Sequence, residues 1–318
     1  DSPAFLNYFM RFYEELFFPY LKEHNIKTLI HLGDVVDRRK FINFKTAHTF
    51  RQKFMKRLWQ DGIDTHIILG NHDTYYKNTN DVNSITELCT TYDGKNEPWI
   101  YSKTTTVNFD GLDILMIPWI CDDNLEHSKE QIKNSKAQIA MGHLEIKGFE
   151  MHNGTYNNQG LDKSTFKRFE KVISGHFHKK SDDGQIYYCG NQYEITWSDY
   201  KCPKGFHIFD TETRELLRVP NPIRIHRKLI YNDKEEDYSK KDLSSFENTF
   251  VKIFVTNKTN EEMFNNLIDR FHNTINVHEI NIIEDLTTDI TTSIKEDILD
   301  QGEDTLTFLG NYVEQADT

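Results

Sequence analysis

At 318 residues, with 37% hydrophobic and 28% charged residues, the chain is long enough for one large core or two smaller ones and has the make-up of a soluble globular protein. No run approaches the roughly 18 apolar residues of a membrane span, and no secretory h-region with a cleavage site is present, so a cytoplasmic protein is expected. The formal net charge of -12 is uneven: ten acidic residues and Lys295 alone leave 284–318 at -9, so the rest of the chain is close to neutral.

In chain order, "DSPAFLNYFMRFYEELFFPYLKEH" opens with Ser2 as an N-cap and Pro3 at the first helical position. It carries Phe5, Leu6, Phe9, Phe12, Tyr13, Leu16 and Phe17 at helical spacing, which predicts a helix with a core-facing stripe. It begins as a helix that an upstream strand should precede. Next come four short apolar runs, each ending in Gly and polar residues: "TLIHLGDVVDRR", "IILGNHDTYY", "QIAMGHLE" and "KVISGHFHKK". They are too short for packed helices and predict buried strands. Between the first two, Lys45 to Trp59 carries Ala47, Phe50, Phe54 and Leu58 at helical spacing, making a strand, helix, strand unit. "QIYYCGNQYEITW" and "KGFHIFDTETRELLRVP" predict further strands with a turn at Thr211 to Thr213. From about Ile230 the pattern changes to a small βαβ piece, with a strand in "NTFVKIFVTN", a helix over Glu261 to Phe271 and a strand in "VHEINII". The expected domains are therefore 1–230, 231–283 and an acidic tail over 284–318. Cys89, Cys121, Cys189 and Cys202 form no CxxC pair and are expected to be reduced, structurally buried thiols.

In open α/β sheets ligands bind beyond the carboxyl ends of strands, and all four Gly-plus-polar clusters sit at such ends, so they should converge on one site. Asp34, Asn71, His143, His176 and His178 offer carboxylate, amide and imidazole ligands, a set suited to manganese, iron or zinc and unlike a thiolate structural site. A carboxylate such as Asp34 can bridge two ions, which points to metal-assisted phosphoester hydrolysis. His72, beside a ligand, is placed to donate a proton to the leaving oxygen or to bind the phosphate. Asp73 is expected to fix the tautomer of His72, and Asp37 to do the same for a ligand histidine. The other histidines are assigned to core or surface.

At these residues the chain resembles the calcineurin-like metallophosphoesterase superfamily, whose motifs run DxH, GDxxD, GNH(D/E), GH and GHxH. "GDVVDRR", "GNHD", "GHLE" and "GHFH" match the last four. More narrowly it resembles the nuclease subunits of SbcCD-type DNA repair complexes and the recombination nuclease subunits of T-even-like bacteriophages, on "IPW" at Ile117 to Trp119, "GHLEIKGF" and "GFHIFDTET". The resemblance implies an α/β fold, a layered α/β/β/α sandwich, followed by a small C-terminal α+β DNA-capping domain and a tail segment that docks on a coiled-coil ATPase. It implies two divalent ions, manganese first and magnesium as the alternative, with Asp34 bridging, Asn71, His143 and His176 completing one site and His178 serving the other. His72 would stand beside the scissile phosphate. Exonuclease and endonuclease action on DNA and a homodimer, with no membrane association, also follow from it. The first motif, DxH, has no match here. By the usual strand length of about 5 to 6 residues, an upstream strand and loop of roughly 15 to 20 residues would supply it.

Phosphate contacts dominate nucleic-acid affinity. The candidates are Arg38, Arg39 and Lys40 just past the GD cluster, Lys179 and Lys180 just past His178, and Arg224, Arg227 and Lys228. Two other activities fit the same motifs, a protein phosphatase or small-molecule phosphodiesterase and a non-catalytic scaffold. The phosphatases favour Gly where Arg39 stands and GNHE where this chain has GNHD.

Overall fold

The computed structural model describes residues 2–89, 97–152 and 155–284. The acidic tail assigned to 284–318 therefore lies, from residue 285, outside the described residues. The described residues form two compact units, one of Phe9–Gln192 with Pro203–Asn221 and the other of Ser2–Tyr8 and Tyr193–Cys202 with the described residues from Pro222 onward. Among the described residues no helix is long and apolar enough to cross a membrane. All four cysteines lie among the described residues, and none is in a disulfide.

In the first unit, β1 (Thr28–His31), β2 (Asp64–Ile68) and β3 (Trp99–Tyr101) form a parallel sheet in that order. Further on come β4 (Thr105–Phe109), β5 (Leu112–Ile117), β6 (Ile139–Gly142), the short pair β7 (Glu150–His152) and β8 (Thr155–Tyr156), then β9 (Lys171–Ser174), β10 (Ser181–Asp182) and β11 (Ile186–Tyr188). All but β7 and β8 make a mixed six-stranded sheet ordered β10-β11-β9-β6-β5-β4. Its core strands β5, β6, β9 and β11 run parallel, and β4 joins β5 as an antiparallel hairpin. The hairpin turn is Asp110-Gly111, both at positive φ (51° and 89°), the two-residue geometry that matches strand twist. A second hairpin, β12 (Gly205–Phe209) and β13 (Leu216–Pro220), closes the unit around the turn expected at Thr211 to Thr213.

Side-chain alternation along the strands decides the packing, because successive residues face opposite sides of a sheet. From β2, Ile68 joins Ile114, Met116, Ile139, Met141 and Ile173 of the larger sheet in one core between the two sheets. Its neighbours Ile67 and Leu69 face the other way, onto Ile85, Cys89, Phe50 and Met55 of the flanking helices. On the far side of the larger sheet, Leu115, Ile117, Ala140 and Val172 pack with Ile132, Phe166 and Phe169. The helix expected over Lys45 to Trp59 runs over 44–60, capped by the Asn43 side chain, which accepts from Lys45 N at 2.8 Å. The first helix runs over 3–23 and makes a wide π-type turn over Phe12–Phe17. That turn shifts its stripe, so Phe18 and Leu21 are buried with Phe12 and Phe17, whereas Leu16 is only partly so. Phe12 and Phe17 meet Phe206 of β12 with ring centroids 6.1 and 5.1 Å apart.

Within this unit His207 Nε2 and the Tyr187 hydroxyl are 2.9 Å apart. Burial, and then the charges of Arg218 and Lys180, push the His207 pKa down from 6.5 to about 4. The unfolded chain takes that proton near 6.5, so this stabilisation is complete above pH 6.5 and is lost as pH falls toward 4. We expect the wild-type advantage over His207→Gln in urea unfolding to shrink by about 2 kcal/mol between pH 7 and pH 4.5, at ~1.4 kcal/mol per unit. A difference that stays constant with pH would show that His207 is not the group responsible.

The second unit is a parallel sheet of β14 (His226–Asn232), β15 (Phe250–Asn257) and β16 (Glu279–Ile283). The helix Glu261–Asn273 connects β15 to β16, capped by Asn260, whose side chain accepts from Met263 N at 3.0 Å. Phe264, Leu267 and Phe271 of the helix pack on Leu229, Tyr231, Val251, Ile253 and Val255. The second unit takes in β14, which pairs with β15 along its whole length. Arg224, expected as a surface contact for DNA, instead reaches the fully buried Glu194, with Nη1 3.3 Å from Oε1. The other Glu194 oxygen accepts from the N–H groups of Ile225 and His226 at 3.0 Å each. Lys228 lies 4.8 Å from the Tyr200 ring centroid.

Candidate metal centre

Four chain segments leave strand ends and meet: 33–37 after β1, 70–73 after β2, His143 after β6 and 175–178 after β9. Glycine makes the approach possible. A Cβ on Gly33, which sits at φ +93°, would lie 2.5 Å from His143 Nδ1 and 2.8 Å from Gly70 Cα. A Cβ on Gly70 would lie 2.2 Å from Asp34 Oδ1. Asp34 and His176 themselves adopt positive φ, 55° and 83°, a strained choice for residues with a Cβ. Such strain persists only where the surroundings over-determine it.

Asp73 supplies that constraint. It is fully buried, and its Oδ2 accepts from the N–H groups of Asp34 and Gly70, both at 2.8 Å, while Oδ1 accepts from Val35 at 2.8 Å and Val36 at 3.2 Å. Burial and then the Asp34 charge push its pKa up to about 6, against the pull of the N–H donors. The expected role for Asp73, holding the His72 ring, is corrected by this geometry, because both oxygens are committed to the 33–36 turn and to Gly70. His72 is held instead by the Asp37 carbonyl, 2.5 Å from Nδ1, which makes Nδ1 the protonated nitrogen. The Asp37 carboxylate is 89% exposed and pairs with Arg38 at 3.8 Å, so it orients no ligand histidine. For His143 that task falls to the Leu32 carbonyl, 2.8 Å from Nδ1.

With its Nδ1 proton donated to the Leu32 carbonyl, His143 points Nε2 at Asn71 Oδ1 (2.9 Å) and Asp34 Oδ2 (3.2 Å). His176 Nδ1 completes the cluster, 3.1 Å from Asn71 Oδ1 and 3.2 Å from His143 Nε2. Ligand atoms about 2.1 Å from one ion are roughly 3.0–3.4 Å from each other, which is the spacing seen here. Two imidazole nitrogens, a carboxylate and an amide oxygen facing one another are satisfied together by a cation, and the residues fit a divalent metal. Asp34, His143 and His176 have ligand atoms within 4.8 Å of one another.

The electrostatics agree. Burial opposes ionising Asp34, but the His143 charge and hydrogen bond, with His72 behind them, hold its carboxyl well below the usual range. Burial likewise opposes the His143 charge, and Asp34 raises its pKa nonetheless. Burial and then the charge of His143 push His176 down to about 3, so its nitrogen stays unprotonated and able to coordinate. His178 is exposed and stands outside the Asp34, His143 and His176 group.

Of the expected DNA contacts, Arg39 Nη1 donates to Thr74 Oγ1 at 3.1 Å and to the Tyr76 carbonyl at 3.3 Å, tying the 37–41 segment to the one after His72. Lys179 pairs with Glu150 at 2.7 Å, and Lys180 Nζ lies 4.8 Å from the Tyr187 ring centroid. One neighbour of the cluster had no assigned role in sequence. Trp119 has its ring 5.4 Å from that of His176, and Asn80 and Asn124 Nδ2 hold its carbonyl at 2.9 and 3.0 Å.

A family model for calcineurin-like phosphoesterases matches residues 3–180. Over 237 residues the chain is 38% identical to "Exonuclease subunit 1" of Enterobacteria phage T4, covering 74% of this chain and 67% of that one. It is 27% identical over 146 residues to the SbcD component of the SbcCD nuclease of Staphylococcus epidermidis, covering 42% of this chain and 38% of the relative. The corresponding SbcD protein of Staphylococcus saprophyticus is 26% identical over 114 residues, 33% of this chain and 30% of the relative. The chain thus spans two thirds of the phage relative and about a third of each bacterial one. Four glycine-bounded loops that bring Asp34, Asn71, His143 and His176 together at strand ends, with the family match over most of the unit that carries them, lead to one conclusion: the chain belongs to the calcineurin-like phosphoesterase family.

Proposed function

We propose that this chain is the nuclease subunit of a DNA repair and recombination complex and hydrolyses phosphodiester bonds of DNA as exonuclease and endonuclease. The observation that carries the reading is the cluster of facing ligand atoms on Asp34, Asn71, His143 and His176, with His72 beside it on a hydrogen bond from its own N–H to Asp34 Oδ1 (2.8 Å). The likeness to the phage exonuclease subunit supports a nucleic acid among the family's phosphoester substrates. On this reading the first unit is the layered α/β/β/α sandwich, the second is a small DNA-capping domain, and the acidic tail docks on a coiled-coil ATPase of the SbcC type. The chain acts as a homodimer.

Asp34, Asn71, His143 and His176 would hold one divalent ion, and Asp34 with His178 would contribute to a second. Bound there, manganese, or magnesium in its place, supplies Lewis-acid polarisation of the phosphodiester and lowers the pKa of a coordinated water. Asp73 fixes the turn that presents Asp34. His72, with Nδ1–H held by the Asp37 carbonyl, presents Nε2 to the phosphate and, when protonated, gives that proton to the departing sugar oxygen. Arg38, Arg39, Lys40, Lys179 and Lys180 contribute attraction for the phosphate backbone.

Nucleotide release from linear duplex DNA with added manganese tests the reading. We expect manganese-dependent release that chelation abolishes, and at least about tenfold lower kcat/KM on a phosphopeptide, a gap of ~1.4 kcal/mol. Hydrolysis of the phosphopeptide with no release from DNA would replace the nuclease by a phosphatase.

A further inference from the structure

The IPW stretch leaves β5 and ends on Trp119, whose indole no step above uses. In the larger sheet β5 lies beside β6, and β6 beside β9. Trp119 therefore stands at the strand end next to those that carry His143 and His176. Where those neighbours offer ligands, an indole offers none, since its nitrogen only donates.

The backbone of Trp119 is held at both of its polar groups. Its N–H donates to the Leu69 carbonyl at 2.8 Å, one residue before Gly70. Its carbonyl accepts from Asn80 and Asn124 Nδ2 at 2.9 and 3.0 Å, and both of those amides are buried. Asn124 Oδ1 accepts in turn from the Cys121 N–H at 3.0 Å. Burying an amide is costly unless its hydrogen bonds are made, and both amides converge on this one carbonyl. The indole so placed meets the His176 ring at 5.4 Å and 36° between planes, and the His143 ring edge to face at 6.3 Å.

His176 lacks the support that His143 has. A ligating histidine is commonly oriented by a hydrogen bond at the ring nitrogen turned away from the metal. His143 makes that bond through Nδ1 to the Leu32 carbonyl. His176 turns Nδ1 to Asn71 and His143, and no described residue hydrogen-bonds its Nε2. Packing is left to hold the ring. Besides its chain neighbour Phe177 and its fellow ligand His143, the ring set against it is that of Trp119.

We propose that Trp119 is a positioning residue of the metal centre, whose indole fixes the His176 ring by packing as the Leu32 carbonyl fixes His143 by a hydrogen bond. The proposal rests on the reading of the cluster as a site for a divalent ion. Trp119 acts on that site through His176, and this sets the test.

Free manganese, counted by its paramagnetic resonance signal, is titrated against the wild type, Trp119→Ala, His176→Ala and the double variant. We expect Trp119→Ala to bind manganese about tenfold more weakly, the size usual for groups that orient a metal ligand. Trp119→Phe should stay within about threefold of wild type, because a ring still faces His176. The double variant should match His176→Ala within about twofold, since no ring is left to position. With cobalt in place of manganese, the visible absorption of Trp119→Ala should move toward that of His176→Ala, because both weaken the same nitrogen ligand. Losses that add in the double variant would make Trp119 a general support of the fold and overturn the proposal. If the alanine variant does not fold, Trp119→Leu, which keeps bulk without a ring face, goes through the same cycle with the same deciding outcomes. Manganese binding by the wild type that Trp119→Ala leaves unchanged overturns the proposal alone, whereas no binding by the wild type overturns the metal centre and the proposal with it.

Discussion

Replacing Asp73 by asparagine should lower the stability of the first unit by about 3–5 kcal/mol and weaken manganese binding by at least about tenfold, although Asp73 touches none of the facing ligand atoms. Each carboxylate oxygen accepts two backbone N–H groups from a buried turn. An amide keeps one acceptor and turns an NH2 toward the other two donors. Two charge-assisted hydrogen bonds, worth about 1.5–3 kcal/mol each, are lost, and two buried N–H groups are left without a partner. The turn they release holds Asp34 at φ 55°, a conformation with no local reason to persist. Thermal unfolding should therefore fall by on the order of 10 °C, and calorimetric titration with manganese should show the weaker site. A variant that melts within about 2 °C of wild type would mean that the turn keeps its shape without the carboxylate.

The four strand ends were legible because an apolar run that stops at Gly and continues with Asp, Asn or His has few explanations in a buried sheet. The roles within the clusters were less legible. Asp73 adjoins His72 in sequence, which suggests a pair, yet its partners are backbone groups 37 to 39 residues away in the 34–36 turn, and a backbone N–H leaves no mark on the amino-acid pattern. The same holds for the Asp37 and Leu32 carbonyls that set the tautomers of His72 and His143. The stripe on the first helix slipped at its wide turn because helical spacing assumes about 3.6 residues per turn throughout. The β4–β5 hairpin had a readable signal, Asp110-Gly111 between alternating residues. The pairing of β14 with β15 had none, since it is made by backbone groups.

His72→Ala should separate chemistry from architecture, losing about 10²- to 10⁴-fold in kcat on DNA while metal affinity and melting temperature stay near wild type. The contact of His72 with the Asp34 cluster is made by its backbone N–H, which donates to Asp34 Oδ1 and survives the substitution. The imidazole is held by the Asp37 carbonyl and is not among the nitrogens facing Asn71. KM should change little if the ring acts mainly on the departing oxygen, because the loss then falls in the transition state. A sugar alkoxide is a poor leaving group that needs a proton, whereas a nitrophenolate leaves without one. The penalty for His72→Ala should therefore shrink to less than about tenfold on a nitrophenyl ester of thymidine monophosphate. If both substrates lose equally, His72 stabilises charge on the phosphate and donates no proton; if neither loses turnover, the imidazole has no part in the reaction.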